Sequence, residues 1–295
     1  MLQKDYDLVI LGAGHIATAL IVQCQDLKVG VLSRNASHIE KYGVDVVNWT
    51  AGVDKCPKGI SAKSVVNCIM PRSKREARGA IDVGNAILAG SGSYVHISSI
   101  AVQAVHSNYP KLLRFAGDGY IRTKKFELKY LEKFFPDAQL VYPGIVCGEN
   151  TVWTQTLRRL NGAKKIIAGG DLNMPAPIVD VDNVAGVLLD CVTQSKESKL
   201  IFVPDKRSYG EFLWRDVIGD NKSIIEKGYI FSQSTLKELI ITFLTSSLTP
   251  DFVWDFVSKV TAKKGNDAHK DEGFEDPTNV EISAMTNFYM TCDYS

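Results

Sequence analysis

With 295 residues, 45% of them hydrophobic, the chain can bury one large core, or one core and a smaller appended lobe. Lys and Arg total 34 against 33 Asp and Glu, a formal net charge of +1, and that balance excludes a surface built to neutralise a nucleic-acid backbone. The partner this composition suits is a small molecule. Six cysteines, at 24, 56, 68, 147, 191 and 292, form no C-x-x-C pair, and several sit in apolar runs as small hydrophobes, which fits a reducing, cytoplasmic setting. No apolar stretch approaches the roughly 18–20 residues of a membrane span. Residues 236–248 carry Lys237, Glu238 and several hydroxyls and read as a packed helix.

Taken in chain order, a charged start leads into an apolar strand at 7–11, followed by a helix at 16–25, a strand at 28–32, a helix at 37–42 and a strand at 44–47. Further strands are predicted at 64–69, 93–97, 139–142 and 200–203, with helices at 74–89 and 110–135, the second long and amphipathic. Short continuous apolar strands alternating with helices predict βαβ units, a parallel sheet covered on both faces, and hence an α/β fold of the doubly wound class. From Lys206 the pattern turns mainly helical, and 263–278 is charged with Gly, Asn and Pro, an ordered loop or a mobile tail. The predicted division is a nucleotide-binding domain over 1–148 and a smaller, mainly helical substrate lobe over 149–295, with 177–204 returning to the first domain.

The first chemical motif lies where the first strand meets the first helix: Gly12-Ala13-Gly14-His15-Ile16-Ala17, or G-x-G-x-x-A. Gly12 permits a tight turn, Gly14 lets a pyrophosphate approach the backbone, and Ala17 allows close packing of helix on strand, while the helix N-terminus supplies free N–H groups and a positive dipole end. Gly12, Gly14, His15, Ile16 and Ala17 are therefore candidate cofactor residues, with His15 read either as a pyrophosphate contact or as a solvent-facing loop side chain.

The end of the second strand reads Ser33-Arg34-Asn35. An acid there would suit the free ribose hydroxyls of NAD; Arg34 instead offers charge-assisted hydrogen bonds to a 2′-phosphate, and Ser33 a further donor. The expected cofactor is NADP(H), with NAD as the alternative.

The second motif joins Ser98-Ser99, just past the strand ending at Ile97, to Tyr120 and Lys124 some twenty residues later. Tyr and Lys at i and i+4 share one helix face. A phenol is a poor acid/base near neutral pH until a neighbouring ammonium stabilises its anion. Tyr120 is then the candidate proton donor and acceptor for a carbinol, Lys124 its activator, and Ser99 the group that holds the substrate oxygen.

These motifs together resemble a short-chain dehydrogenase/reductase, and specifically the extended branch of NAD-dependent epimerase/dehydratase-like enzymes, over nearly the whole length to about Gly219. The segments 96–102, 120–127, Tyr142-Pro143-Gly144-Ile145-Val146-Cys147-Gly148, Val181-Asp182-Asn183-Val184-Ala185 and 208–212 are similar to the family's, in the family's order. The resemblance implies a Rossmann domain, catalysis by Ser99, Tyr120 and Lys124, and Pro143 and Ile145 beside the nicotinamide. It also implies Asn67, Cys68 and Ile69 bordering the cofactor, a homodimer formed through the helices at 74–89 and 110–135, and a sugar nucleotide as the leading substrate class. The chain departs from the branch's usual G-x-x-G-x-x-G opening; Tyr142 stands where Arg is usual and Cys147 where Tyr is, and Glu127 falls one place early in the family's Y-x-x-x-K-x-x-x-E pattern. Ile100-Ala101 offers no acid pair of the kind used to eliminate water, which favours carbonyl reduction or epimerisation over dehydration.

The expected function is NADPH-dependent reduction of a carbonyl on a sugar nucleotide or similar small molecule. The alternatives are a nucleotide-sugar epimerase with retained NAD and, from another class, a non-catalytic dinucleotide-sensing protein. Histidine and cysteine spacing predicts no metal site. His96 reads as a strand residue with a satisfied ring nitrogen.

Overall fold

A computed structural model describes residues 4–99, 102, 119–149, 151, 153–154, 165–168, 178–194, 200–203, 216, 223–226 and 279–281, with 119–122, 165–168, 200–203, 223–226 and 279–281 described by their backbone. The chain divides into two compact units, one made of Met1–Ser99, Thr123–Pro143 and Asp180–Val203, the other of Ile100–Arg122, Gly144–Val179 and Pro204–Ser295.

The first unit is built on strands β1 (Lys4–Leu11), β2 (Val29–Ser33), β3 (Asp45–Asn48), β4 (Ile60–Asn67), β5 (Leu88–Ile97), β6 (Gln139–Pro143) and β10 (Leu200–Val203). They form one sheet in the order β10-β6-β5-β4-β1-β2-β3, with every neighbouring pair parallel. Leu8 to Leu11, Val65, Val66 and Val95 are fully buried, as expected of strands covered on both faces. The register aligns Leu32, Leu11, Asn67, His96 and Leu140 in one row. Strands β1, β2, β4 and β5 therefore end at about this row, while β6 runs on past it to Pro143.

Helices cover both faces. On one, α2 (Lys74–Ile87) and α3 (Gly119–Phe134) share a core in which Ala80, Ile81, Val83, Ile87 and Leu131 meet Val9, Leu11 and Val65. On the other, α1 (His15–Gln23) and α4 (Val181–Thr193) are joined by the Gln23 amide donating to the Asp182 carbonyl at 3.0 Å. Helix α2 is capped by Ser73, whose Oγ accepts from the Glu76 N–H at 3.1 Å, while Glu76 Oε2 reaches back to accept from the N–H of Arg72, the residue before the cap, at 2.6 Å. Helix α4 is capped by Asp180, whose carboxylate accepts from the Asp182 N–H at 2.8 Å.

Several boundaries differ from expectation. Strand β5 begins at Leu88, directly after α2, rather than at 93, because Leu88 pairs with Ala62; tertiary pairing here overrides the low strand preference of Ala-Gly-Ser-Gly. Strand β4 stops at Asn67, so Cys68 and Ile69 lie past the sheet. Residues Ser37–Tyr42 form a 3-10 helix rather than an α-helix. The helix expected over 110–135 is described from Gly119, residues 110–118 lying outside the described ones. Two further strands, β7 (Ile145–Cys147) and β9 (Ile178–Asp180), pair with each other. The second unit also holds strands absent from the sequence reading, β8 (Lys165–Ala168), β11 (Ser223–Glu226) and β12 (Asn279–Glu281), in a parallel sheet ordered β11-β8-β12. The helices expected after Lys206 fall almost wholly outside the described residues.

Candidate functional site

The strand order reverses direction between β1 and β4, and in such sheets the crevice outside the carboxyl ends at that point is where ligands bind. Gly12 sits there, one residue past β1, its N–H donating to the Leu32 carbonyl at 2.8 Å while the Cys68 N–H donates to the Leu11 carbonyl at 2.9 Å. Gly12 has φ +97°, and a Cβ on it would come within 3.2 Å of Ile69 Cγ1. The crevice thus brings Gly12 together with Cys68 and Ile69.

Gly14 is the N-cap of α1. No side chain caps that helix and no acid lies in its first turn, unlike α2 and α4. Among the described residues, a Cβ on Gly14 would meet nothing within 4 Å, and the start of α1 carries the positive end of the helix dipole. Ala17 is buried against the sheet, Ile16 is half-buried and His15 is exposed.

One residue the sequence reading missed holds this loop. His38, on the 3-10 helix, lies with Nε2 2.9 Å from the Ala13 carbonyl, and since a carbonyl only accepts, Nε2 carries the proton. No local pattern signals a contact spanning two elements. Ser33 closes β2 with its hydroxyl in long contacts of 3.4 Å to the Asn35 N–H and carbonyl, and Arg34 is exposed. The first acid after β2 is Glu40.

At the end of β4, Asn67 is wholly buried. Its amide donates to the Tyr94 hydroxyl at 3.1 Å and its carbonyl oxygen accepts from the Ile69 N–H at 3.1 Å. Asn67 therefore shapes the crevice through Ile69. Asn67→Ala leaves the buried Tyr94 hydroxyl and the half-buried Ile69 N–H without Asn67 as partner and is expected to cost about 1–3 kcal/mol of stability, read from urea unfolding; a loss below the error of that measurement would refute the bracing role. Burial pushes the Cys68 thiol up to about 12, partly opposed by the charge of Lys124, so the thiol is neutral at ordinary pH.

At the end of β5, the Ser98 N–H donates to the Val141 carbonyl at 2.8 Å and Ser99 follows, buried. Lys124, on α3, is buried with its Nζ donating to the Ile97 carbonyl at 3.0 Å, two residues before Ser99, and pairing with Glu127 Oε2 at 3.0 Å. Two of the predicted trio, Ser99 and Lys124, are thus brought to one strand end. Tyr120 lies in the first turn of the same helix, one turn before Lys124, and its side chain is outside the described residues. Pro143 closes β6 and Ile145 opens β7, both buried.

His96 departs from expectation. It is fully buried, yet neither ring nitrogen has a hydrogen-bond partner among the described residues, and Glu127 Oε1 lies 3.7 Å from Nε2. Burial and the nearby Lys124 charge hold its imidazole well below the usual histidine range and so neutral. No group of three or more His, Cys, Asp or Glu among the described residues could hold a metal, and no described helix is long and apolar enough to cross a membrane.

The strand order and the glycine-opened helix define a Rossmann fold. Solved structures share it at low sequence identity. TunA, an NAD-dependent NDP-hexosamine 5,6-dehydratase involved in tunicamycin biosynthesis, is 13% identical with a TM-score of 0.55, over 76% of this chain and 85% of its own. A UDP-N-acetylglucosamine 4-epimerase from Bacillus cereus is 11% identical with a TM-score of 0.52, over 94% and 99%. The Bordetella bronchiseptica enzyme WbmG, in complex with NAD and UDP, is 11% identical with a TM-score of 0.54, over 89% and 96%. No protein-family model matches the chain, and no curated protein matches it in sequence. At these identities the likeness establishes the fold.

Proposed function

We propose that this protein is an NAD(P)-dependent oxidoreductase of the short-chain dehydrogenase/reductase type, which uses NADPH to reduce a carbonyl on a sugar nucleotide or a similar small molecule. The observation that carries this reading is the N-terminus of α1, which no described side chain caps and where a Cβ on Gly14 would meet no described residue within 4 Å, at the crevice between β1 and β4. A pyrophosphate fits that position: it needs N–H donors, a positive dipole end and no intervening side chain. Bound there, the cofactor would supply the hydride. The chain's own residues do the rest. Gly12 and Gly14 admit the phosphates, Ile69 and Cys68 wall the crevice, and Arg34 with Ser33 receives the 2′-phosphate. Ser99 holds the substrate oxygen and Tyr120 gives it a proton, with the Lys124 ammonium favouring the phenolate that remains. A homodimer through α2 and α3 belongs to the same reading.

The test is a titration of purified protein with NADPH and NADH, followed by nicotinamide fluorescence, after assay for cofactor retained through purification. Preference for free NADPH supports an exchanging reductase. Retained NAD moves the assignment to an epimerase, and NAD is the cofactor named with two of the compared structures. Binding of dinucleotide without turnover of any carbonyl compound leaves a dinucleotide sensor, and no binding of either form overturns the proposal. Arg34→Asp is expected to weaken NADPH at least about tenfold more than NADH, a difference of about 1.4 kcal/mol; equal losses would show that Arg34 does not read the 2′-phosphate.

A further inference from the structure

Below the end of β5 lies a closed polar cluster. The side chains of Lys124, Glu127 and His96 are 4%, 1% and 0% exposed. Lys124 Nζ donates to the Ile97 carbonyl at 3.0 Å and forms an ion pair with Glu127 Oε2 at 3.0 Å, in which neither carboxylate oxygen has hydrogen-bond geometry to a described residue. The elements packed around the pair contribute His96 and Tyr94 from β5 and Cys68 from the segment after β4. Burial raises the Cys68 thiol and the Tyr94 phenol and lowers the His96 imidazole, so all three are neutral at ordinary pH. Among the described residues, the charge facing Lys124 at close range is therefore that of Glu127. Burial raises the Glu127 carboxyl above the usual range, and the Lys124 ammonium opposes that rise. An ammonium enclosed this way is poorly tolerated without a carboxylate beside it, and the reverse holds equally.

We propose that Glu127 is the positioning residue of the catalytic lysine: its buried carboxylate, with the Ile97 carbonyl, holds the Lys124 ammonium at the end of β5 and supplies its counter-charge. This assignment rests on the reading of Tyr120 and Lys124 given above. Spacing supports it, since residues three apart on a helix share a face and the carboxylate reaches back one turn to the ammonium. His96, with Nε2 3.7 Å from the other carboxylate oxygen, is a neutral neighbour of the pair. It takes no share of the charge, which keeps the pair coupled to each other.

The experiment has two readouts. In the full-length protein without cofactor, the Glu127 side-chain carboxyl is followed by 13C NMR against pH, in wild type and in Lys124→Met. Loss of the ammonium is expected to move the Glu127 midpoint upward by at least about one unit; an unchanged midpoint overturns the proposal. In the second, turnover of a carbonyl substrate with NADPH is measured against pH for wild type, Glu127→Gln and Glu127→Asp. Gln keeps the size and the acceptor oxygen but not the charge, so the alkaline limb of its profile is expected to move to lower pH. Asp, which restores the charge, is expected to recover most of the wild-type profile. A Gln profile that superimposes on wild type, with lower amplitude alone, shows a packing role and overturns the counter-charge assignment. Absence of turnover in wild type with a panel of carbonyl compounds counts against the functional reading, while the Glu127 titration still decides the pairing.

Discussion

Tyr120→Phe is expected to bind NADPH as the wild type does and to turn over about 10²–10⁴-fold more slowly. The substitution removes one oxygen and keeps the ring, so what disappears is the proton path to the substrate oxygen. Ser99 and Lys124 would remain at the end of β5, where the Ile97 carbonyl holds the ammonium at 3.0 Å. A loss of kcat with little change in cofactor affinity separates a chemical role from a binding one. Stopped-flow measurement of NADPH oxidation with a carbonyl substrate, alongside a fluorescence titration, gives both quantities from one preparation. Turnover within a few fold of wild type would remove Tyr120 from the mechanism.

The second large effect concerns the glycine loop, where two glycines serve different ends. Gly14→Leu is expected to leave stability nearly unchanged and to lower NADPH affinity by at least about tenfold, or about 1.4 kcal/mol. Its φ of −79° and ψ of −175° suit any residue, and among the described residues a Cβ there meets nothing within 4 Å. The added side chain would instead occupy the space over the N-terminus of α1 that the phosphates need. Gly12→Ala should behave otherwise. At φ +97° with Ile69 Cγ1 3.2 Å away, it strains the backbone and crowds the crevice wall, so stability and affinity fall together, the former by about 1–2 kcal/mol. Thermal unfolding and NADPH titration of both variants distinguish the cases. Unchanged affinity in Gly14→Leu would show that the phosphates do not pass over this helix.

Much of this arrangement is legible in linear sequence because it depends on neighbours along the chain. The end of strand β1, Leu8 to Leu11, reads as a continuous apolar run ended by Gly12, and a strand ended by glycine and followed at once by a helix makes a phosphate loop by local geometry alone. Tyr120 and Lys124 share a helix face because they are four residues apart. The boundaries that went astray are those where pairing outweighed local preference: Leu88 enters β5 because Ala62 pairs with it, and β4 stops before Cys68. The strands β8, β11 and β12 are short, and each is completed by partners far away in sequence, so their own residues carry little periodicity to find.

What the sequence by itself determined was the alternation of strand and helix, the glycine loop, and the residue types available for proton transfer and phosphate binding. Only the tertiary structure decided which of them meet. The parallel register sets Asn67 beside His96 and brings the amide of Asn67 to the Tyr94 hydroxyl. It also leaves His96 without a hydrogen-bond partner among the described residues and stands it 3.7 Å from a glutamate on another element. His38 reaches the Ala13 carbonyl across 25 positions. The physical reason is that backbone conformation and helical spacing are properties of contiguous residues. The partner of a buried charge is set by strand order and by which face of the sheet a helix covers, and those depend on the whole chain at once.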